Sequence, residues 1–389
     1  MKPSPRFKLL TMLQATVAAA LVLAVPARAD INVGVVLSLT GPAASLGIPE
    51  ENALKLWPRE LGGQKARFIV LNDNSDTNAA TQATQRLISE HNVDVILGSS
   101  VTPVSMAVVQ VAGTAGVPVI SMAGGNAIVL PQDGPRKWAF KLSPTETISA
   151  TMVLNHLLQR GGKTMAAMVL ANSYGEGFLK VTQEVAAAKG VKLVAVEKYA
   201  ANDASVTAQV AKLMAANPDA VYVLSAGTAG ATPQIELAKR GYKGAVYQTQ
   251  GVANNDYLRV GGKDLEGTYM TVAPVLVADQ LPDGNPVKKP GVAFLQGYEG
   301  KYGAGTRSLF GATMWDGLLI LDHAVAKVGN SAQPGTPQYR AALRDAIEAT
   351  KEFVASQGVF NMSPADHNGV DQRSQVMVRI EGGAWKLQP

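Results

Sequence analysis

The chain is expected to be an α/β protein of the doubly wound type, divided into two lobes. Three observations predict this. Short β-branched apolar runs alternate with amphipathic helical stretches, a pattern that lays parallel strands beneath helices on both faces of a sheet. The strand–helix series occurs twice, over residues 31–125 and again over 147–250. At 389 residues the chain also exceeds what one hydrophobic core usually holds.

Taken in order, the first element is a targeting segment. Lys2, Arg6 and Lys8 precede an apolar stretch from Leu9 to Val25, and Ala27-Arg28-Ala29 supplies a small-x-small cleavage pattern. Residues 1–29 are therefore expected to be a signal peptide cleaved after Ala29, with the mature chain exported. A membrane anchor fits poorly, since the stretch contains Thr11, Gln14 and Thr16, ends in Pro26 and lacks a stop-transfer flank. No Cys follows it to carry a lipid. Without this segment the formal charge falls from +5 to +1, so the basic balance belongs to targeting and a nucleic-acid role loses its support. No later run reaches the ~18 apolar residues that span a bilayer. The absence of Cys removes thiol nucleophiles, disulfides and thiolate metal sites together.

Strands are expected at Ile31–Leu37, Arg67–Leu71, Val93–Leu97, Val117–Ser121, Met165–Leu170, Lys192–Val196, Ala220–Leu224 and Gly244–Tyr247. Helices fall between them at Asn78–His91, Ser105–Ala115, Thr147–Gln159, Gly177–Lys189, Val206–Ala216 and Thr232–Arg240. Leu142-Ser143-Pro144-Thr145-Glu146 separates the two series: Pro144 disfavours helix at Ser143, and Thr145 can cap the helix after it. After Pro274 the pattern turns helical, through Val292–Tyr302, Phe310–Val328 and Tyr339–Thr350, and a single strand, Gln375–Ile380, closes the chain. Leu281–Gly291 and Gly329–Pro337 read as loops. The simplest path gives lobe one residues 30–143 and 274–356, and lobe two residues 144–273 and 357–389. Three crossings then form a hinge.

The search for chemistry finds no catalytic set. His91, His156, His323 and His367 are scattered and read as surface or helix-face residues, without metal spacing. Gly162-Lys163-Thr164 resembles the end of a phosphate loop, but Leu157 stands where its first glycine belongs. Asp73 and Asp76 read as caps of the helix near Asn78 rather than a paired-acid site. Two turns are more telling. Gly98-Ser99-Ser100-Val101-Thr102-Pro103 follows an apolar strand and opens a helix, with Pro103 suited to the first helical turn. Ser121-Met122-Ala123-Gly124-Gly125-Asn126 ends the next strand. Backbone amides, the positive helix end and hydroxyls at such turns can hold a carboxylate, and ligands of parallel sheets sit beyond the carboxyl ends of strands. Ser-rich turns of this kind also serve merely as caps.

Across the mature chain these residues resemble the periplasmic leucine/isoleucine/valine-binding protein family, the type I solute-binding proteins of ABC importers. The resemblance rests on Thr40-Gly41-Pro42, Asn72-Asp73-Asn74-Ser75-Asp76, Gly116-Val117-Pro118-Val119-Ile120-Ser121, Tyr174-Gly175-Glu176-Gly177 and Gly251-Val252-Ala253-Asn254, in that order. It implies two Rossmann-like lobes joined by a three-stranded hinge and no enzymatic step, cofactor or metal. It also implies capture of a small ligand by hinge closure and delivery to inner-membrane permease subunits. Carried over, the carboxylate site comprises Ser100, Thr102, Ala123 and Gly125, with Tyr174 and Phe310 as aromatic walls.

The departures bear on the ligand. Amino-acid binders of the family resemble one another in placing a carboxylate before Gly-Val-Ala-Asn; here that position is Gln250. Leu46 stands for a family tyrosine, and Ser225-Ala226-Gly227 is small where an aromatic is usual. Loss of the anion and enlargement of the wall both favour an aromatic or other apolar monocarboxylate, a ligand resembling those of the aromatic-acid branch. Branched-chain or other hydrophobic amino acids in the same importer role are the alternative. A ligand-sensing module would share the fold, and a secreted α/β enzyme would need a catalytic set that was not found. No coiled-coil seam appears, so the chain is read as a monomer.

Overall fold

The structure, a computed structural model, describes residues 29–389; the expected signal peptide lies outside the described residues apart from Ala29. The first sheet contains β1 (Ile31–Leu37), β2 (Glu60–Leu61), β3 (Gln64–Asn72), β4 (Val95–Gly98), β5 (Val119–Ser121) and β6 (Ala139–Lys141), in the order β2-β3-β1-β4-β5-β6. The second contains β7 (Thr164–Leu170), β8 (Lys192–Tyr199), β9 (Ala220–Leu224), β10 (Ala245–Gln248) and β11 (Tyr269–Val272). A short ribbon of β12 (Phe353–Val354) and β13 (Val359–Phe360) stands apart, and β14 (Val376–Glu381) and β15 (Ala384–Leu387) rejoin the second sheet as β15-β14-β11-β10-β9-β7-β8. Each sheet therefore has a central parallel set in which the second strand lies outside the first and the later strands extend the other way. Each has one topological switch point, between β1 and β4 and between β7 and β9.

The helices are α1 (Ala44–Leu54), α2 (Thr77–Ser89), α3 (Thr102–Thr114), α4 (Glu146–Gln159), α5 (Ser173–Lys189), α6 (Thr207–Ala215), α7 (Ala231–Lys239) and α8 (Asn255–Gly261). They are followed by α9 (Lys288–Tyr302), α10 (Leu309–Val328) and α11 (Pro337–Glu348). Local chemistry sets several starts. Asp76 accepts from the Ala79 amide, Thr145 from Ile148 and Asn172 from Tyr174 and Gly175. The other acid of that first pair, Asp73, does not cap α2; it is buried and accepts from the Ser38 and Ser99 hydroxyls and the Ser75 amide. Helix α10 is apolar nearly all round, and it is correspondingly buried between α1 and α11. Fully burying each of its leucines and valines contributes about 1.5–3 kcal/mol.

Three features depart from the sequence reading. The sheets are mixed, because β14 enters antiparallel to β11 and β2 pairs antiparallel with β3. The chain closes on a hairpin and not one strand, since Gly382 and Gly383 both take positive φ and fit a two-residue turn. Helix α1 was not expected across Gly47 and Pro49. It forms because Leu46, Ala53 and Leu54 bury beneath it, and Gly47 lets it approach β1: a Cβ there would sit 2.2 Å from the Ser38 carbonyl oxygen.

The link from β6 to α4 and the returning segment before β14 are fastened together. Lys141 is fully buried and donates to the Ser143 and Pro144 carbonyls at 2.6 and 3.2 Å, and Asn368 donates to the Lys141 and Ser143 carbonyls. Burial pulls the Lys141 ammonium down to about 8, against the attraction of Glu146 and Asp366. His367, expected at a surface or on a helix face, is buried in a loop, stacked on Phe140 and bonded to the Ala139 carbonyl and Glu348.

Candidate ligand site between the strand ends

Strands β4 and β5 of the first sheet and β7, β9 and β10 of the second lead into turns that converge on one cavity. Leu46, Ser100, Thr102, Ala123, Tyr174, Ala226, Gln250 and Phe310 all line it. Gly125 does not. Its amide instead donates to Thr102 Oγ1 at 3.2 Å, and a Cβ at Gly125 would lie 2.4 Å from Thr102 Cγ2, so this glycine seats the threonine. Sequence reasoning missed Val101, Gly124, Ser143, Asn172, Gly251, Leu309 and Thr313, which complete the lining. Asn172 could have been found, as the residue capping the helix that carries Tyr174. Thr313 could also have been found, one helical turn beyond Leu309 on α10.

The donors are not all equal. Ser100 Oγ accepts from the Ser38 amide at 3.1 Å and donates to Glu50 Oε2, so its single proton is committed away from the cavity. The Ala123 amide donates to Ser121 Oγ. Thr102 Oγ1 accepts from Gly125 and keeps its own proton for a donor bond. Helix α3 has no side-chain cap among the described residues, its N-cap position being Val101 with Pro103 in the first turn. Its positive end therefore opens where Val101 and Thr102 line the cavity.

The walls are aromatic and aliphatic. Tyr174 is buried with its hydroxyl donating to Thr249 Oγ1 at 3.1 Å, and burial pushes its phenol well above the usual range, so it stays neutral. Phe310 packs with Leu46 and Ala43 at the other side. Gly227, at φ +66, comes within van der Waals reach of Leu46, where a Cβ would lie 3.7 Å from its Cδ2, and the Leu309 amide bonds to the Ala253 carbonyl. No Asp, Glu, Lys, Arg or His lines the cavity among the described residues. Glu50, behind Ser100, is pushed well above the usual carboxylate range by burial. Gln250 accepts from Gln375 Nε2 at 3.1 Å through Oε1, while its own buried Nε2 has no hydrogen-bond partner among the described residues.

Among the described residues no cluster of His, Cys, Asp or Glu could hold a metal, and no helix is long and apolar enough to cross a membrane. Two doubly wound sheets whose strand ends share a neutral cavity define a protein built to capture a small solute. The profile described as periplasmic binding protein matches residues 30–384, and the chain belongs to this family of solute-binding components of ABC transport. Leu/Ile/Val-binding protein homolog 7 of Brucella abortus (strain 2308) is 27% identical over 376 residues, covering 91% of this chain and 90% of its own. An extracellular ligand-binding receptor from Rhodopseudomonas palustris HaA2 superposes with a TM-score of 0.89 at 38% identity, over 93% of this chain and 100% of that one. A solute-binding protein from R. palustris solved in complex with benzoate shares the fold, with a TM-score of 0.79 and 22% identity over 92% of this chain and 95% of its own.

Proposed function

We propose that the protein captures an aromatic or other apolar monocarboxylate and hands it to an ABC permease. The carrying observation is the charge character of the cavity: an uncapped helix end and a threonine hydroxyl on one side, a neutral amide donor on the other, and apolar walls between. A carboxylate is favoured at the α3 end, where Thr102 and the helix dipole meet it. Phe310, Leu46 and Tyr174 would enclose an apolar body, and Ala226 leaves room for its width. An α-amino acid would bury its ammonium without an anionic partner, forfeiting a charge-assisted bond of about 1.5–3 kcal/mol. The R. palustris protein solved with benzoate supports the aromatic reading; the name of the Brucella relative supports branched-chain amino acids as the second. The lobes that would close are residues 30–143 with 274–356 and residues 144–273 with 357–389.

The test is a thermal-shift panel on residues 30–389, unfolded and refolded to strip bound solute, comparing benzoate-type acids with leucine, isoleucine and valine. A ligand at about 100 times its dissociation constant adds about 2.7 kcal/mol, a shift of a few degrees for a chain this long. Stabilisation by the aromatic acids is expected. Gln250→Glu should then lower their affinity about tenfold or more through like-charge repulsion. Stabilisation by leucine alone, or tighter benzoate binding by Gln250→Glu, would overturn the assignment.

A further inference from the structure

Gln250 lines the cavity and is hydrogen-bonded to a second glutamine that lies outside the lining. We infer that Gln375 is a positioning residue that fixes the hydrogen-bonding sense of the site. Gln375 lies immediately before β14, at the end of the returning segment that carries the chain back to the second sheet, and it is buried together with Ser149 of α4 and Gln250. Its Nε2 donates to Ser149 Oγ at 2.7 Å and to Gln250 Oε1 at 3.1 Å.

The direction of this chain of bonds is set at its far end. Ser149 Oγ donates its one proton to the Thr145 carbonyl at 3.3 Å, so toward Gln375 it acts as an acceptor. Gln375 accordingly presents Nε2 to both neighbours and Gln250 answers with Oε1, while Gln375 Oε1 is itself buried without a partner among the described residues. The remaining Gln250 Nε2 is left buried, without a partner among the described residues, on a residue that lines the cavity. A buried donor lacking a partner is costly, and an oxygen of the bound solute removes that cost. An ammonium meeting the same group finds only hydrogens. The exclusion of amino acids thus resides partly in a residue that touches no solute.

This rests on the monocarboxylate reading, and the experiment separates the two. Benzoate is the probe, with affinities measured for wild type, Gln375→Met, Gln250→Met and the double variant, alongside unliganded melting temperatures. Gln375→Met keeps the volume but releases the Gln250 amide to rotate, and a loss in benzoate affinity of about 3- to 10-fold is expected. In the Gln250→Met background the same change should do almost nothing, because its only route to the solute is gone. Equal losses in both backgrounds would mean general repacking and would overturn the proposal, as would no loss in either. If wild type fails to bind benzoate at all, the functional reading fails instead. The relay is then decided without ligand, by the side-chain amide signals of Gln250 in 15N-glutamine-labelled protein. They should move and broaden in Gln375→Met, and unchanged signals would refute it.

Discussion

At the scale of single residues, Thr102 Oγ1 accepts from the Gly125 amide, and in the proposed function its own proton serves the solute. The two are separable. Thr102→Ala should weaken carboxylate binding about tenfold or more, the worth of a hydrogen bond to a charged group, and lower apo stability by about 1 kcal/mol through the orphaned Gly125 amide. Thr102→Ser should retain most of both, as read by calorimetric titration and apo melting curves; equal affinity for wild type and the alanine variant would remove Thr102 from the site. The sequence marked the turn that carries this threonine, because strand, hydroxyls and Pro103 fall together, and the family resemblance pointed to Thr102 within it. It could not show that Ser100, two residues earlier, has its proton committed to Glu50, since that contact joins residues 50 positions apart. Nor could it show that the Gly125 amide donates to Thr102.

At the scale of elements, the contacts of α10 decide much of what the wall can do. Phe310 and Thr313 line the cavity from its first two turns, and farther along Asp316 is fully buried, accepting from the Ser356 and Gln357 amides between β12 and β13. Burial raises the Asp316 carboxyl from 3.8 to about 6, against those hydrogen bonds. The folded state therefore holds this proton more tightly than the unfolded chain does. Its stabilising contribution is complete below about pH 3.8 and is lost as the pH rises through about 6. Relative to Asp316→Asn, the wild-type denaturation midpoint should fall between pH 4 and pH 6 and then level off; parallel curves would show no shift at this residue. The periodic helices and longer strands were legible in the sequence. Missed elements were short or lacked local support: the three-residue β6, the four-residue β11, and α1, whose Gly47 and Pro49 oppose helix locally while tertiary burial secures it.

Across the whole molecule, two repeats of one strand order face each other, with the cavity at the meeting of their strand ends. The repeat was visible as two series of apolar runs. The antiparallel additions at β14 and β15 were not, because pairing direction depends on where the segment after β13 meets the second sheet. The close approach of Gly227 to Leu46 and the Leu309–Ala253 bond describe a narrow cleft. Hinge capture requires these contacts, together with the packing of α3 on α5 and the paired Asn126–Glu146 bonds, to part when solute is absent. Small-angle scattering should show a smaller radius of gyration at saturating ligand than in its absence, and identical profiles would exclude hinge closure as the capture step.

The uncharged lining has a consequence for the surroundings in which such a protein works. Ionic atmospheres act on charges that water can reach, whereas a buried carboxylate held by a helix end and a hydroxyl is screened weakly. A cavity without ionised side chains among the described residues also gathers little field to steer an anion from a distance. Retention of the solute should therefore change little with external salinity, and capture should proceed at an ordinary unsteered rate, which suits a compartment whose ionic strength follows that of the medium outside the cell.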